Sequence, residues 1–227
     1  MSGEGHDGVG HRARLRRRLL EGGGDGFHDY ELVEYLLALV TPRRDTKPLA
    51  KRLIAEFGTL SATLAAAPAE LMRVDGLGET GVAALKFVQL AAVRALRDDV
   101  VGRPVLSSWQ AVLDYLHADM AHAGVERFRV LFLDSKNVLI RSELMSQGTV
   151  DQTPVYVREV MKRALELGST AILLAHNHPS GDPKPSRDDI ELTAQIAAAG
   201  RLLGVTVHDH IVVGRRGHAS LKAMGLM

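Results

Sequence analysis

The sequence predicts an α/β protein with a small all-helical N-terminal domain, residues 1–103, followed by a mixed-sheet domain, residues 104–227. Three observations predict it. Up to Asp98-Asp99 the apolar residues recur only at helical spacing. Gly102-Arg103-Pro104 then stops any continuing helix. Beyond that break, strand-like and helix-like runs alternate, the pattern of helices covering a sheet.

In the first part, helices are expected over Asp29–Val40 and Lys47–Phe57. A short helix is expected over Ala69–Arg73, with Pro68 at its first turn. Gly58 and Gly76 stand where helix ends are expected. In the second part, Ser107 or Ser108 caps a helix reaching about Ala121. Phe128–Leu133 and Val138–Leu144 read as strands around the turn Asp134-Ser135-Lys136-Asn137. Pro154 opens a helix that runs to Leu167 and stops at Gly168. Ala171–Ala175 is a wholly apolar strand, Arg187–Leu203 a helix and Val205–Val213 a further strand.

Composition limits the chemistry. The 227 residues contain no cysteine, so neither a disulfide framework nor a thiolate metal site can form, and any metal must be held by His, Asp or Glu. No segment reads as a secretory signal or a membrane span, and a cytoplasmic location is expected. With 28 Lys+Arg against 27 Asp+Glu the chain has no basic coat, and nucleic-acid binding would have to use a local surface. Two basic clusters exist, Arg12 to Arg18 and Arg43 to Arg52; charge runs of this kind are commonly solvated helix faces.

Four of the ten histidines, His176, His178, His208 and His210, lie within 35 positions. His176 and His178 follow a strand, and residues two apart on a strand point the same way. The loop behind them carries Pro179, Pro183 and Pro185 and leads to a helix start at Ser186, with Asp189 in its first turn. Such a loop can return the carboxylate to the two imidazoles. Two His and one carboxylate with a position left for water is a composition used by catalytic zinc sites, where the metal lowers the pKa of water from 15.7 toward about 7. Ser186 and Asp189 also fit a capping box, so both readings stand on residue types alone. Alternation would put His208 and His210 on one strand face and Asp209 on the other. One of the three could orient a ligand histidine.

The segment His176-Asn177-His178, then Ser186 and Asp189, resembles the His-x-His-x7-Ser-x2-Asp motif of JAMM (MPN+) metalloproteases. The wording His-Asn-His-Pro-Ser-Gly-Asp-Pro, with Val157-Arg158-Glu159-Val160 before it and Asp209-His210-Ile211-Val212-Val213-Gly214 after it, resembles the RadC family. The resemblance implies an MPN (JAMM) domain of cytidine-deaminase-like architecture, with Zn2+ on His176, His178 and Asp189. It implies a zinc-dependent hydrolase acting on a peptide or isopeptide-like bond, with a role in DNA repair or recombination. A general base is then needed. Glu159 is the preferred candidate and Glu143 the alternative, while Ser186 is the candidate donor to an oxyanion. Asn177 stands where deubiquitinase-type relatives carry Ser or Thr, so their substrate preference does not transfer.

In the first domain, Gly76-Leu77-Gly78 between two helical stretches resembles a helix-hairpin-helix, spanning about residues 68–95. Its glycines would let the backbone approach a phosphate at the next helix start, and Gly76, Gly78 and Lys86 are the candidate nucleic-acid contacts, with Arg73 also near in sequence. Two further classes of function remain in view. One is a DNA-binding repair factor with a structural or non-peptidase zinc site; the other is a metal-dependent nuclease.

Overall fold

The apolar spacing of the first part resolves into α1 (Asp7–Gly22), α2 (Asp29–Val40), α3 (Lys47–Phe57), α4 (Leu60–Ala65), α5 (Pro68–Leu71) and α6 (Glu79–Asp98). The computed structural model describes residues 7–22, 26–105, 107–148 and 155–227. The chain divides into two units, Met1–Ala91 and Ala92–Met227, each with its own core. In the first, Val33 and Leu37 of α2, Leu49 and Leu53 of α3, Leu71 of α5 and Leu85 of α6 are buried together. Helix α1 is fastened to α2 along one stripe. Leu15 is buried, Arg18 forks onto Glu31 at 2.8 and 3.3 Å, and His11 pairs with Glu34 at 3.0 Å.

The division falls before residue 103 for a packing reason. Val93 and Leu96, in the last turns of α6, lie against the core of the second unit, and Val100 is part of that core. A helix can therefore run on past the point where one hydrophobic core gives way to the next.

The second unit is a five-stranded mixed sheet in the order β2-β1-β3-β4-β5. Its strands are β1 (Arg127–Leu133), β2 (Leu139–Gln147), β3 (Ala171–Asn177), β4 (Thr206–Gly214) and β5 (Gly217–Ser220). Strand β1 runs antiparallel to β2 and β3, β4 runs parallel to β3, and β5 closes a hairpin on β4. Helix α7 (Trp109–Met120) covers one face through Val112 and Leu116, which pack on Leu131, Leu173 and Ile211. Helices α8 (Val157–Glu166) and α9 (Arg187–Leu203) cover the other, where Val160, Ala164 and Ile196 meet Val130, Ile172 and Leu174. Strand β3, buried along its whole length, is central to the sheet, which accounts for its uninterrupted apolar run.

Most elements fall where the periodicity places them. Strand β3 continues through His176 and Asn177, because backbone pairing with β1 and β4 carries on after the apolar side chains end. Pro154 lies outside the described residues, and the helix is described from Val157. Ser108 stands at the cap position of α7 without a side-chain cap; its hydroxyl donates to the Pro104 carbonyl at 3.0 Å. Strand β5 and helices α1 and α4 are additions that short or strongly polar stretches did not announce.

The expected face of His208 is corrected by the register. Ile172 pairs with Val207 and Leu173 with Asp209, so His208 is the extra residue of a bulge. The bulge restarts the alternation. His208 turns away to hydrogen-bond Asn137 Oδ1, while His210 is fully buried against Phe128 and His176.

Candidate metal centre

Strand β3 delivers His176 at its buried end, and His178 follows one residue beyond the strand. The loop 179–185 then returns the chain to α9. It lies hard against the end of β4: a Cβ on Gly214 would stand 2.5 Å from the Gly181 carbonyl oxygen. The His178 N–H donates to the Val213 carbonyl at 3.2 Å, and Arg215 donates to the Pro179 carbonyl at 3.0 Å. Ser186 caps α9, and Asp189 comes from the first turn.

Two imidazole nitrogens and the two oxygens of one carboxylate converge here. Nε2 of His176 and Nε2 of His178 are 3.0 Å apart; Asp189 Oδ1 is 3.1 Å from the first and Oδ2 3.4 Å from the second. Tetrahedral zinc with bonds of about 2.0–2.1 Å requires ligand atoms about 3.3 Å apart. The separations among the two nitrogens and the two oxygens lie near that value, and one ligand atom from each of His176, His178 and Asp189 lies within 4.8 Å of the others, a group able to hold a metal ion.

The proton positions follow from the outer hydrogen bonds. Thr193 of α9 gives its hydroxyl proton to the Asp189 carbonyl at 2.5 Å, so its oxygen accepts from His210 Nδ1–H at 2.6 Å. Burial holds His210 well below the ordinary histidine range, hence neutral, and its Nε2 is an acceptor. It takes Nδ1–H of His176 at 2.8 Å. His178 Nδ1–H donates to the Asp182 carbonyl at 2.9 Å. Both ligand imidazoles are thereby left with a bare Nε2 toward the centre, the tautomer a metal requires.

Asp189 is held ionised. Burial works to raise its carboxyl, but the neighbouring His176 and His178 and the hydrogen bonds from Ser186 outweigh it and keep the group well below the usual carboxylate range. In the metal-free protein Asp189 also favours the protonated His178 ring, against the opposing effect of burial, and so raises its pKa; a metal ion would take the place of that Nε2 proton. Ser186 works on Asp189 from both ends: its N–H and hydroxyl each donate to Oδ2 at 2.7 Å, and its oxygen accepts the Asp189 N–H at 3.1 Å. The capping reading and the ligand reading of this pair are therefore one geometry.

The structure separates the candidate bases. Glu159 is on the first turn of α8, about half exposed, with its carboxylate on the neighbouring Arg158 at 3.1 Å and no interaction with the histidines or Asp189. Glu143 is forked onto Arg163 at 2.7 and 2.8 Å, which lowers its pKa and joins β2 to α8. Glu126, which the sequence reading passed over, is the carboxylate in the field of the centre. It is half-buried just before β1; burial raises its pKa, His176 and His178 lower it and Asp189 raises it. Its only sequence signal is an acidic residue immediately before a strand, too common to stand out.

The other predicted residues divide. His210 orients His176 directly. Asp209 touches only the backbone of His210: its carboxylate accepts the His210 N–H at 2.7 Å, Ser220 Oγ at 2.5 Å and the Lys222 N–H at 3.0 Å, tying that residue to the C-terminal turn. In the first unit, Gly76 has φ +88°, a conformation that favours glycine, whereas a Cβ on Gly78 would meet open space. Lys86 donates to the Leu64 and Ala66 carbonyls at 2.5 and 2.9 Å and so closes the end of α4, a role at odds with a free phosphate contact. The basic side chains at the glycine turn are instead Arg44, on the Gly76 carbonyl at 3.0 Å, and Arg52, on the Asp75 carbonyl at 3.1 Å.

Among the described residues no helix is long and apolar enough to cross a membrane. The model of the RadC-like JAB domain family matches residues 106–226. A UPF0758 protein of Rhodobacter capsulatus is 54% identical over 213 residues, covering 94% of this chain and all of its own length. A UPF0758 protein of Ruegeria pomeroyi is 49% identical over 217 residues, covering 96% of this chain and 97% of its own.

Proposed function

Because the chain belongs to the RadC family of JAB-domain proteins, we propose that it is a zinc-dependent hydrolase of an amide or isopeptide bond, with Glu126 as its general base. The observation that carries this reading is the convergence of two bare Nε2 atoms and an ionised carboxylate, with a second carboxylate in their field. Zinc, when bound by His176, His178 and Asp189, supplies a Lewis acid that acidifies water and polarises a carbonyl. Glu126 takes one proton from the attacking water and hands it to the leaving amine, so the proton balance closes within the site. Ser186 fixes Asp189; its expected donation to an oxyanion requires the hydroxyl proton to leave Oδ2. Burial, by raising Glu126, brings it nearer the range in which a carboxylate can both accept and return a proton.

The test compares Glu126→Gln with Glu159→Gln by proteome-wide identification of peptides released by purified protein loaded with zinc. The first variant should bind about one zinc per chain and release nothing; the second should behave as wild type. Equal loss in both variants, or a stoichiometric metal other than zinc, would sink the reading.

The same proposal gives the first unit a nucleic-acid role. What supports it is the meeting of Arg44 and Arg52 with the glycine turn, beside α1, whose Arg12 donates to the Pro42 and Arg44 carbonyls. Basic segments distant in sequence thus share one surface that can meet phosphates without reading bases. Arg52→Ala should weaken binding to mixed-sequence duplex DNA about equally for all sequences and reduce the salt slope by about 0.9. Lys86→Ala should leave that slope unchanged and lower the thermal stability of the unit. A slope reduced equally by both substitutions would count against this assignment.

A further inference from the structure

We propose that Asn177, the residue between the two histidines, is a positioning residue that holds Glu126 against the centre; the inference rests on the reading of Glu126 as the base. Asn177 is completely buried. Its Oδ1 accepts the Arg127 N–H at 2.9 Å, and its Nδ2 donates to the Val125 carbonyl at 3.2 Å and the Ala123 carbonyl at 3.4 Å. The two nearer partners are the residues on either side of Glu126.

The location explains why an amide stands there. Strands β1 and β3 pair from Leu133↔Ala171 to Phe128↔His176, and the ladder stops at that last rung. Beyond it the backbone of β1 has lost its β3 partner, and the preceding residue is Glu126. An acceptor and a donor on one short side chain supply the missing rung, gripping an N–H on one side of Glu126 and a carbonyl on the other. The Glu126 carbonyl itself takes the Gly148 N–H at 3.0 Å, so β2 holds that segment from the opposite side. One residue thereby links the backbone between the two histidine ligands to the backbone that carries the carboxylate. A hydroxyl in place of the amide is too short to reach both Val125 and Arg127.

The experiment follows the side-chain carboxyl of Glu126 by carbon NMR in protein labelled at glutamate Cδ, its resonance identified by loss in Glu126→Gln, as one equivalent of zinc is added. In wild type the resonance should move on zinc addition. In Asn177→Ala, zinc should still bind with near wild-type affinity by chelator competition, and most of the Glu126 shift should vanish. Where Asn177→Ala fails to fold, Asn177→Ser provides the same comparison with a smaller loss of polarity. A zinc-bound variant that keeps the full wild-type shift overturns the role of Asn177 and leaves Glu126 standing. A wild type whose Glu126 resonance ignores zinc overturns the base assignment itself.

Discussion

Thr193→Val isolates the proton chain behind the metal centre, because it removes one hydroxyl at nearly constant shape, more than one bond away from any ligand atom. In the native protein His210 Nδ1–H has a single acceptor, Thr193 Oγ1 at 2.6 Å, and the ring is fully buried. Without that acceptor the protein has two choices. It can keep the tautomer and leave a buried N–H unpaired, at a cost of about 1–3 kcal/mol. Alternatively, His210 can move its proton to Nε2 and donate toward His176 Nδ1, which drives the His176 proton onto Nε2, the ligand atom. Metal binding must then reverse the second choice and restore the first, so the penalty falls on the metal-bound form. The affinity should drop about 10- to 100-fold, or about 1.4–2.8 kcal/mol, while the metal-free protein changes little. Competition with a chromophoric zinc chelator measures this directly, and Thr193→Ser, which keeps the hydroxyl, should stay near wild type. A correctly folded Thr193→Val with wild-type zinc affinity would refute the tautomer argument.

Two further outcomes follow from the same site. His178 has a pKa raised by Asp189, and a raised folded-state value stabilises fully below the unfolded pKa and is lost as pH rises through the folded one. The chelator-treated protein should therefore lose melting temperature as pH climbs above about 6.5, a decline absent from His178→Ala; a flat profile in the metal-free wild type would contradict the pairing. Gly214→Ala should push the 179–185 loop off β4, since the new Cβ would also meet Pro183 Cδ at 2.8 Å. Overpacking of this kind costs about 1–3 kcal/mol, seen as a lower melting temperature, and zinc affinity should fall with it because the loop carries the Asp182 carbonyl that fixes His178.

The candidate metal-holding group was legible in the sequence because it is local. His176 and His178 sit at a strand end, Asp189 lies in the first turn of the next helix, and a proline-rich loop joins them. The base proposed above, Glu126, had no such local mark. Glu159 sits in a more distinctive segment than Glu126, yet the first turn of α8 faces it into solvent beside Arg158. Glu126 stands just before β1, and what ties that stretch to β3 is strand pairing and the Arg127 N–H bond to Asn177, 50 positions away. His208 and His210 could not be told apart by alternation either, since one bulged residue reverses every face that follows it.

Local physics therefore determined what this chain is made of: helices before residue 99, alternating strands and helices after it, a cysteine-free His-His-Asp ligand set and a glycine turn at Gly76. Tertiary structure decided how those parts are arranged, with the neutral His210 behind His176, Glu126 half-buried and Glu159 exposed beside Arg158, Lys86 on the end of α4 and Arg44 and Arg52 at the turn. The reason is range. Periodicity, capping and loop stiffness act over a few residues and leave a trace in the sequence, whereas strand register and the burial of a single ring depend on partners dozens of residues away.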